Sequence, residues 1–338
     1  MPRNALRPLR PLRPLVLLAA LLSAGLTQAA VFKDPALQQA LDADHDEELQ
    51  SLARARLKAD PNDAQGLAAT ALLSLQDADS ARLEAHAKAL QQCVERQPRE
   101  FVCHFVLGQV LGAQAMSGGM MKAMTLTGRI KESFQKALEL EPQSFEAREA
   151  LQQFYLMAPG IAGGSTTKAR ALVDEVRDSQ PAMAHLLRAR LLATDGDTAG
   201  AERELKAYKP GKEVALNKSW VQGWAGLGLS YLQDKQLPKA RAWFEQLIKE
   251  QPQAALGPFG LARVAAAEQR WEESARSFEQ ARTLEGAKEL PIDYRLGLML
   301  QAKGDKAQAK AALERYLAGK TPSKRLAEDA RKRLADLG

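Results

Sequence analysis

The chain has 338 residues, 46% of them hydrophobic and 26% charged, with two Cys, four His and a formal net charge of +6. Most of that charge belongs to the start of the chain, where Arg3, Arg7, Arg10 and Arg13 stand without an acid; beyond residue 29 the balance is about +2. With the leader set aside, no sustained basic stripe for nucleic acid remains except the tail over 320–333, which Glu328 and Asp329 interrupt as a solvated helix would be.

In chain order, residues 1–29 read as a signal peptide. An Arg-rich start is followed by an apolar core over 15–22 and by Thr27-Gln28-Ala29, which predicts cleavage after Ala29. The apolar run is shorter than the roughly 20 residues that span a bilayer, and no Cys stands at the cleavage site to carry a lipid. An exported, soluble, periplasmic product without membrane insertion is expected. The acidic run from Asp42 to Glu48 imitates an EF-hand start. Glu47 stands where that loop needs Gly, however, and Ala53 where a Glu must close the shell, so a turn and helix start is expected there.

From 30 to 323, apolar residues at helical spacing predict about eight helical pairs, the first over 35–61 and the second over 64–98. The third uses Leu107, Gly108, Leu111, Phe134, Ala137 and Pro142 around an insertion near 112–128. The fourth uses Leu151, Tyr155, Ala169, Val173 and Pro181 around an insertion near 158–166. Leu187, Leu191, the Asp195-Gly196-Asp197 turn, Ala201 and Leu205 mark the fifth, before an irregular connection over 209–219. Trp224, Leu227, Gly228, Tyr231, Ala240, Phe244 and Pro252 mark the sixth. Leu261, Phe278 and Ala281 mark the seventh, and Leu296, Gly297, Leu300, Gly304, Ala309 and Leu313 the eighth. Residues 324–338 form a polar capping helix, which a stacked array needs to cover its last apolar face. No period-two apolar run predicts a strand.

The sixth pair carries W-x2-L-G-x2-Y, A-x3-F and P at the spacing of the tetratricopeptide repeat, and the chain resembles that family strongly over 221–323 and by looser spacing before it. The resemblance implies an all-α, right-handed superhelical solenoid whose first helices line a concave groove for a protein or peptide, with no catalytic residue and no cofactor. In the family's register the groove positions are Phe105, Gln109, Glu149, Gln153, Leu186, Arg190, Gln222, Leu229, Phe259, Arg263 and Tyr294, with Arg295 adjacent. Arg190, Arg263 and Arg295 suit the carboxylates of an extended ligand, and Phe259 and Tyr294 offer flat apolar contact. The family's Asn and Lys carboxylate clamp is not evident.

Other candidate chemistry is thin. Gly160, Gly163 and Gly164 precede Lys168, but Thr167 stands where a phosphate loop needs Gly and Ala169 where it needs Ser or Thr. Pro159 is instead expected to end one helix, and Ser165 or Thr166 to cap the next. Met116, Met120 and Met124, at i, i+4 and i+8, would give one helix a thioether face able to take Cu(I); plain core packing and then an apolar partner patch are the competing readings. Cys93 and Cys103 either bridge a helix turn or stay as buried thiols. His45, His86, His104 and His185 form no metal or hydrolase motif. The expected function is therefore a non-catalytic exported scaffold. A small-ligand or transport accessory protein and a Cu(I)-handling protein are the alternatives.

Overall fold

The computed structural model describes residues 30–75, 79–319 and 324–338, so the expected signal peptide lies outside the described residues. Among the described residues there are seventeen α-helices and two short 3-10 turns, and the only β-type pairing is a bridge between Ala254 and Glu285. Consecutive helices pack as antiparallel hairpins. These are α1 (Pro35–Asp42) with α2 (Asp46–Ala59), α3 (Ala64–Ser74) with α4 (Ser80–Arg96), α5 (Phe101–Ser117) with α6 (Gly119–Leu140), and α7 (Phe145–Met157) with α8 (Thr166–Asp174). They continue as α9 (Pro181–Thr194) with α10 (Thr198–Ala207), α11 (Val214–Gln233) with α12 (Leu237–Glu250), α13 (Leu256–Ala267) with α14 (Trp271–Arg282), and α15 (Ile292–Lys303) with α16 (Lys306–Ala318). Helix α17 (Lys324–Leu337) covers the last hairpin.

Local chemistry sets the helix starts. Asp34, Asp63, Asp79, Ser144, Ser165, Asp197 and Asp305 each accept a backbone N–H at the start of α1, α3, α4, α7, α8, α10 and α16, satisfying donors a helix leaves unpaired. Five hairpins share one turn. In each, a residue at positive φ (Asp44, Gly196, Lys235, Gln269 or Gly304) precedes a residue whose N–H returns to the carbonyl five positions back. These bonds run from His45 to Ala40, Asp197 to Leu192, Gln236 to Tyr231, Arg270 to Ala265 and Asp305 to Leu300, at 2.8–3.0 Å. This is the left-handed helix stop that glycine makes at least cost.

Packing between helices explains the repeated residues. An ideal Cβ on Gly108 would lie 2.5 Å from Phe134, one on Gly228 2.7 Å from Phe244, and one on Gly297 2.8 Å from Leu313. In three hairpins, then, glycine lets the second helix drive a large side chain against the first. Gly260 does the same from the next hairpin, with Phe244 at 2.0 Å from its ideal Cβ. Trp224 and Trp243 stack at 4.1 Å, and each donates its indole N–H to the other's carbonyl, at 2.9 and 2.7 Å. Both rings are buried with their polar handles satisfied. Cys93 at the end of α4 and Cys103 in α5 are joined in a disulfide across the turn, both fully buried.

Candidate functional site on the inner face

The first helices α7, α9 and α11 meet at Glu149. Its Oε1 accepts from Arg190 Nη2 at 2.5 Å and from Ser219 Oγ at 2.5 Å, so one carboxylate ties three hairpins together. Gln153 lies four residues beyond Glu149 and Gln222 three beyond Ser219, which puts both on this stripe of their helices, and both are exposed. Arg190, expected to be free for a ligand, is committed to Glu149. That correction arises because the superhelix brings α7 and α9 face to face.

Farther along, Arg263 on α13 stands 5.9 Å over the Phe259 ring, and Arg295 on α15 stands 5.5 Å over the Tyr294 ring. Neither guanidinium has a carboxylate partner among the described residues, and Arg295 Nε is buried without a hydrogen bond. Burial first, and the neighbouring Arg295 charge second, bring Arg263 down to about 10. Two arginines held this close raise each other's energy until an anion comes between them. The rings beneath them do not offer the flat contact expected of them. Phe259 and Tyr294 are buried, Phe259 against Phe278 at 5.9 Å and Tyr294 against Tyr316 at 5.4 Å, with the Tyr294 hydroxyl donating to Asp329 of α17 at 2.8 Å. Phe105 is likewise core, stacked on Phe101 at 5.6 Å, and Gln109 beside it is half-buried. The register placed these aromatics by helix position, whereas hairpin stacking decides which of them the next hairpin covers.

The array also closes on itself. Lys218 of α11 donates to Asp44 at 2.7 Å and to the Leu41 carbonyl at 3.4 Å, and Lys288 lies 3.9 Å from Asp46. The first hairpin thus reaches the sixth and the turn before the eighth. Glu146 of α7 is held at about 7, chiefly by burial, with the charges of Glu149 and Asp42 adding to the rise. Glu289 is raised by burial and by Asp44.

No family model matches the chain, and no curated protein matches it. Similar solved structures include a tetratricopeptide repeat protein from Parabacteroides merdae ATCC 43184, 14% identical, covering 78% of this chain and 96% of that one with a TM-score of 0.48. Another is pilF of Pseudomonas aeruginosa, 18% identical, covering 70% of this chain and all of that one with a TM-score of 0.42. The human IFIT1 dimer with m7Gppp-AAAA is 14% identical and covers 88% of this chain and 62% of that one, with a TM-score of 0.49. Likenesses this distant carry no argument by themselves. The stacked antiparallel hairpins, with Gly228 beneath Phe244 at the signature positions of the sixth, make the fold an all-α solenoid of tetratricopeptide type.

Within the solenoid the two insertions depart from the expected packing. Ser117 ends α5 and Gly119, at φ 77, starts α6, so Met116 sits on a different helix from Met120 and Met124 and no single thioether face forms. The methionines are not core either: Met116, Met120, Met121 and Met124 are exposed. In the fourth hairpin α7 stops at Met157 before Pro159, and Ser165 caps α8, donors being satisfied by side chain and turn with no phosphate cradle needed. The cleft beside the third hairpin is polar, lined by Glu84, Lys88, Gln91, Glu95, Lys122 and Arg129. A cleft of about 510 Å³ lies between α10 and α12 over Trp220, Trp224 and Trp243. Two of its cations, Lys206 and Lys239, are held by Glu202 at 2.6 and 2.9 Å.

Proposed function

We propose that the chain is a non-catalytic, exported scaffold that holds an extended, acid-bearing segment of another protein against its inner face, with Arg263 and Arg295 as the pair that reads the acid. The observation that carries this reading is the pair itself, two guanidiniums on adjacent first helices without a carboxylate between them. Each guanidinium can present two parallel N–H donors to a carboxylate, and an anion set between them relieves their mutual repulsion as it binds. The exposed amides Gln153 and Gln222 would then follow the backbone of the same segment, since an extended chain needs hydrogen bonds along its length more than deep pockets. Export is the expectation set by the Arg-rich leader, and the solenoid supplies shape and contact.

A photo-crosslinking side chain placed at Gln222 tests the reading in intact cells. A covalent adduct to a protein is expected, and it should disappear in a variant carrying Arg263→Glu and Arg295→Glu. An adduct that survives both charge reversals would refute the assignment.

A further inference from the structure

Six large apolar side chains stand exposed among the described residues, five of them in the two insertions and Met157 just before the second: Met116, Met120 and Met121 at 81%, Met124 at 53%, Met157 at 64% and Ile161 at 90%. In an array of antiparallel hairpins, every turn from first helix to second falls on one edge. The α5–α6 turn and the α7–α8 connection are such turns in consecutive hairpins, so the six share that edge. The α7–α8 connection packs on α6 at the level of Lys131, whose Cδ lies 3.8 Å from the ideal Cβ of Gly163. Met120 therefore projects roughly 16 Å past that level at 1.5 Å per residue. The tip is an exposed apolar patch, with Met157 and Ile161 on the neighbouring connection.

Charge identifies what it meets. No Asp or Glu occurs over 101–131 or over 155–170, whereas Lys122, Arg129, Lys131 and Lys168 occur there. None of those four cations has a carboxylate partner among the described residues; Arg129 donates to Gln91 at 3.0 Å, and Lys168 sits 5.8 Å from the Tyr155 ring centroid. Glu132 follows Lys131 directly, and Glu84 and Glu95 share with Lys122 and Arg129 the cleft that α4 forms with α6, without forming an ion pair with any of the four cations. Projecting methionines backed by long, unpaired cations match a lipid interface, where apolar side chains enter the acyl boundary and Lys and Arg stay level with the headgroups. We infer that the Met-rich tip of the third hairpin is a docking element for an anionic bilayer surface, which would hold the inner face of the scaffold beside a membrane. The inference does not depend on the acid-reading pair of the inner face.

Sedimentation of the mature chain with phosphatidylcholine vesicles, with and without an equal part of phosphatidylglycerol, tests it. Binding is expected to the mixed vesicles and not to phosphatidylcholine alone. Met120→Ser, Met121→Ser and Met124→Ser together should weaken it by roughly tenfold or more. Lys122→Glu with Lys131→Glu should abolish the phosphatidylglycerol dependence. All of these side chains lie at or near the surface, so the helical circular dichroism of each variant should match the parent and separate docking from folding. No sedimentation of the parent chain with the mixed vesicles would overturn the inference, as would equal binding by the Met variant. Protection of the tip by an acidic peptide but not by vesicles would overturn it too, by assigning the surface to a protein.

Discussion

Arg263 and Arg295, the pair proposed to read an acid, carry a cost in stability. Burial and the neighbouring charge both disfavour the Arg263 cation, and no carboxylate among the described residues repays that cost. Arg263→Met should therefore raise stability by about 1 kcal/mol in urea unfolding while eliminating partner binding. A variant that both destabilises and binds normally would remove Arg263 from the account. Glu202 represents the opposite case. It accepts from Lys206 at 2.6 Å, Tyr231 at 2.7 Å and Lys239 at 2.9 Å, and these partners bring its carboxyl down to about 2 against the burial that opposes them. Because its folded value lies below the ordinary carboxylate value, its contribution is fully present above about pH 4.5 and is lost as pH falls through about 2. Glu202→Gln should cost roughly 1–2 kcal/mol at pH 7, and unfolding curves of parent and variant should converge near pH 2. At this scale the register named first-helix positions, but it could tell neither that Phe105, Phe259 and Tyr294 are buried nor which of the remaining residues are paired. Arg190 read the same as Arg263 until Glu149 was found beside it.

Between residue and whole chain, the hairpin turn is the element that the sequence expressed most unevenly. Gly196 and Gly304 announce the left-handed stop because glycine adopts it freely. Lys235 and Gln269 make the same turn at φ 59 each and give no sign of it in a one-dimensional pattern. Lys235→Gly and Gln269→Gly should each stabilise the chain by about 0.5–1 kcal/mol, read as a raised urea midpoint with unchanged slope. Destabilisation by either would mean that its side chain contributes more than its backbone costs. The consensus positions of the sixth hairpin were legible for the same reason that the glycines were: each is a packing demand between neighbours close in sequence, as Gly228 beneath Phe244 shows. The insertions obeyed no such local demand. The methionines at 116, 120 and 124 kept helical spacing across a break that only Gly118 and Gly119 marked, and they surfaced instead of filling the core.

At the scale of the molecule, hairpins separated by well over a hundred residues touch, and nothing in a repeat pattern encodes that. The bond between Lys218 and Asp44 and the approach of Lys288 to Asp46 are exposed ion pairs, a class worth about 0–1 kcal/mol and weakened by salt. The contact of the first hairpin with α11 should consequently open easily. Small-angle scattering should give a larger radius of gyration for Lys218→Ala than for the parent at low salt, and the two should converge at high salt. Identical curves at every salt concentration would show that apolar contacts hold the first hairpin in place. Opening there would admit the proposed partner segment to the face that carries Arg263 of α13 and Arg295 of α15. The most direct test is calorimetric titration of the mature chain with an extended acid-rich peptide. Heat of binding that declines with salt and vanishes when Arg263 and Arg295 are both replaced by Met is the predicted result. Binding of equal strength by that double variant, or none by the parent chain, would contradict it.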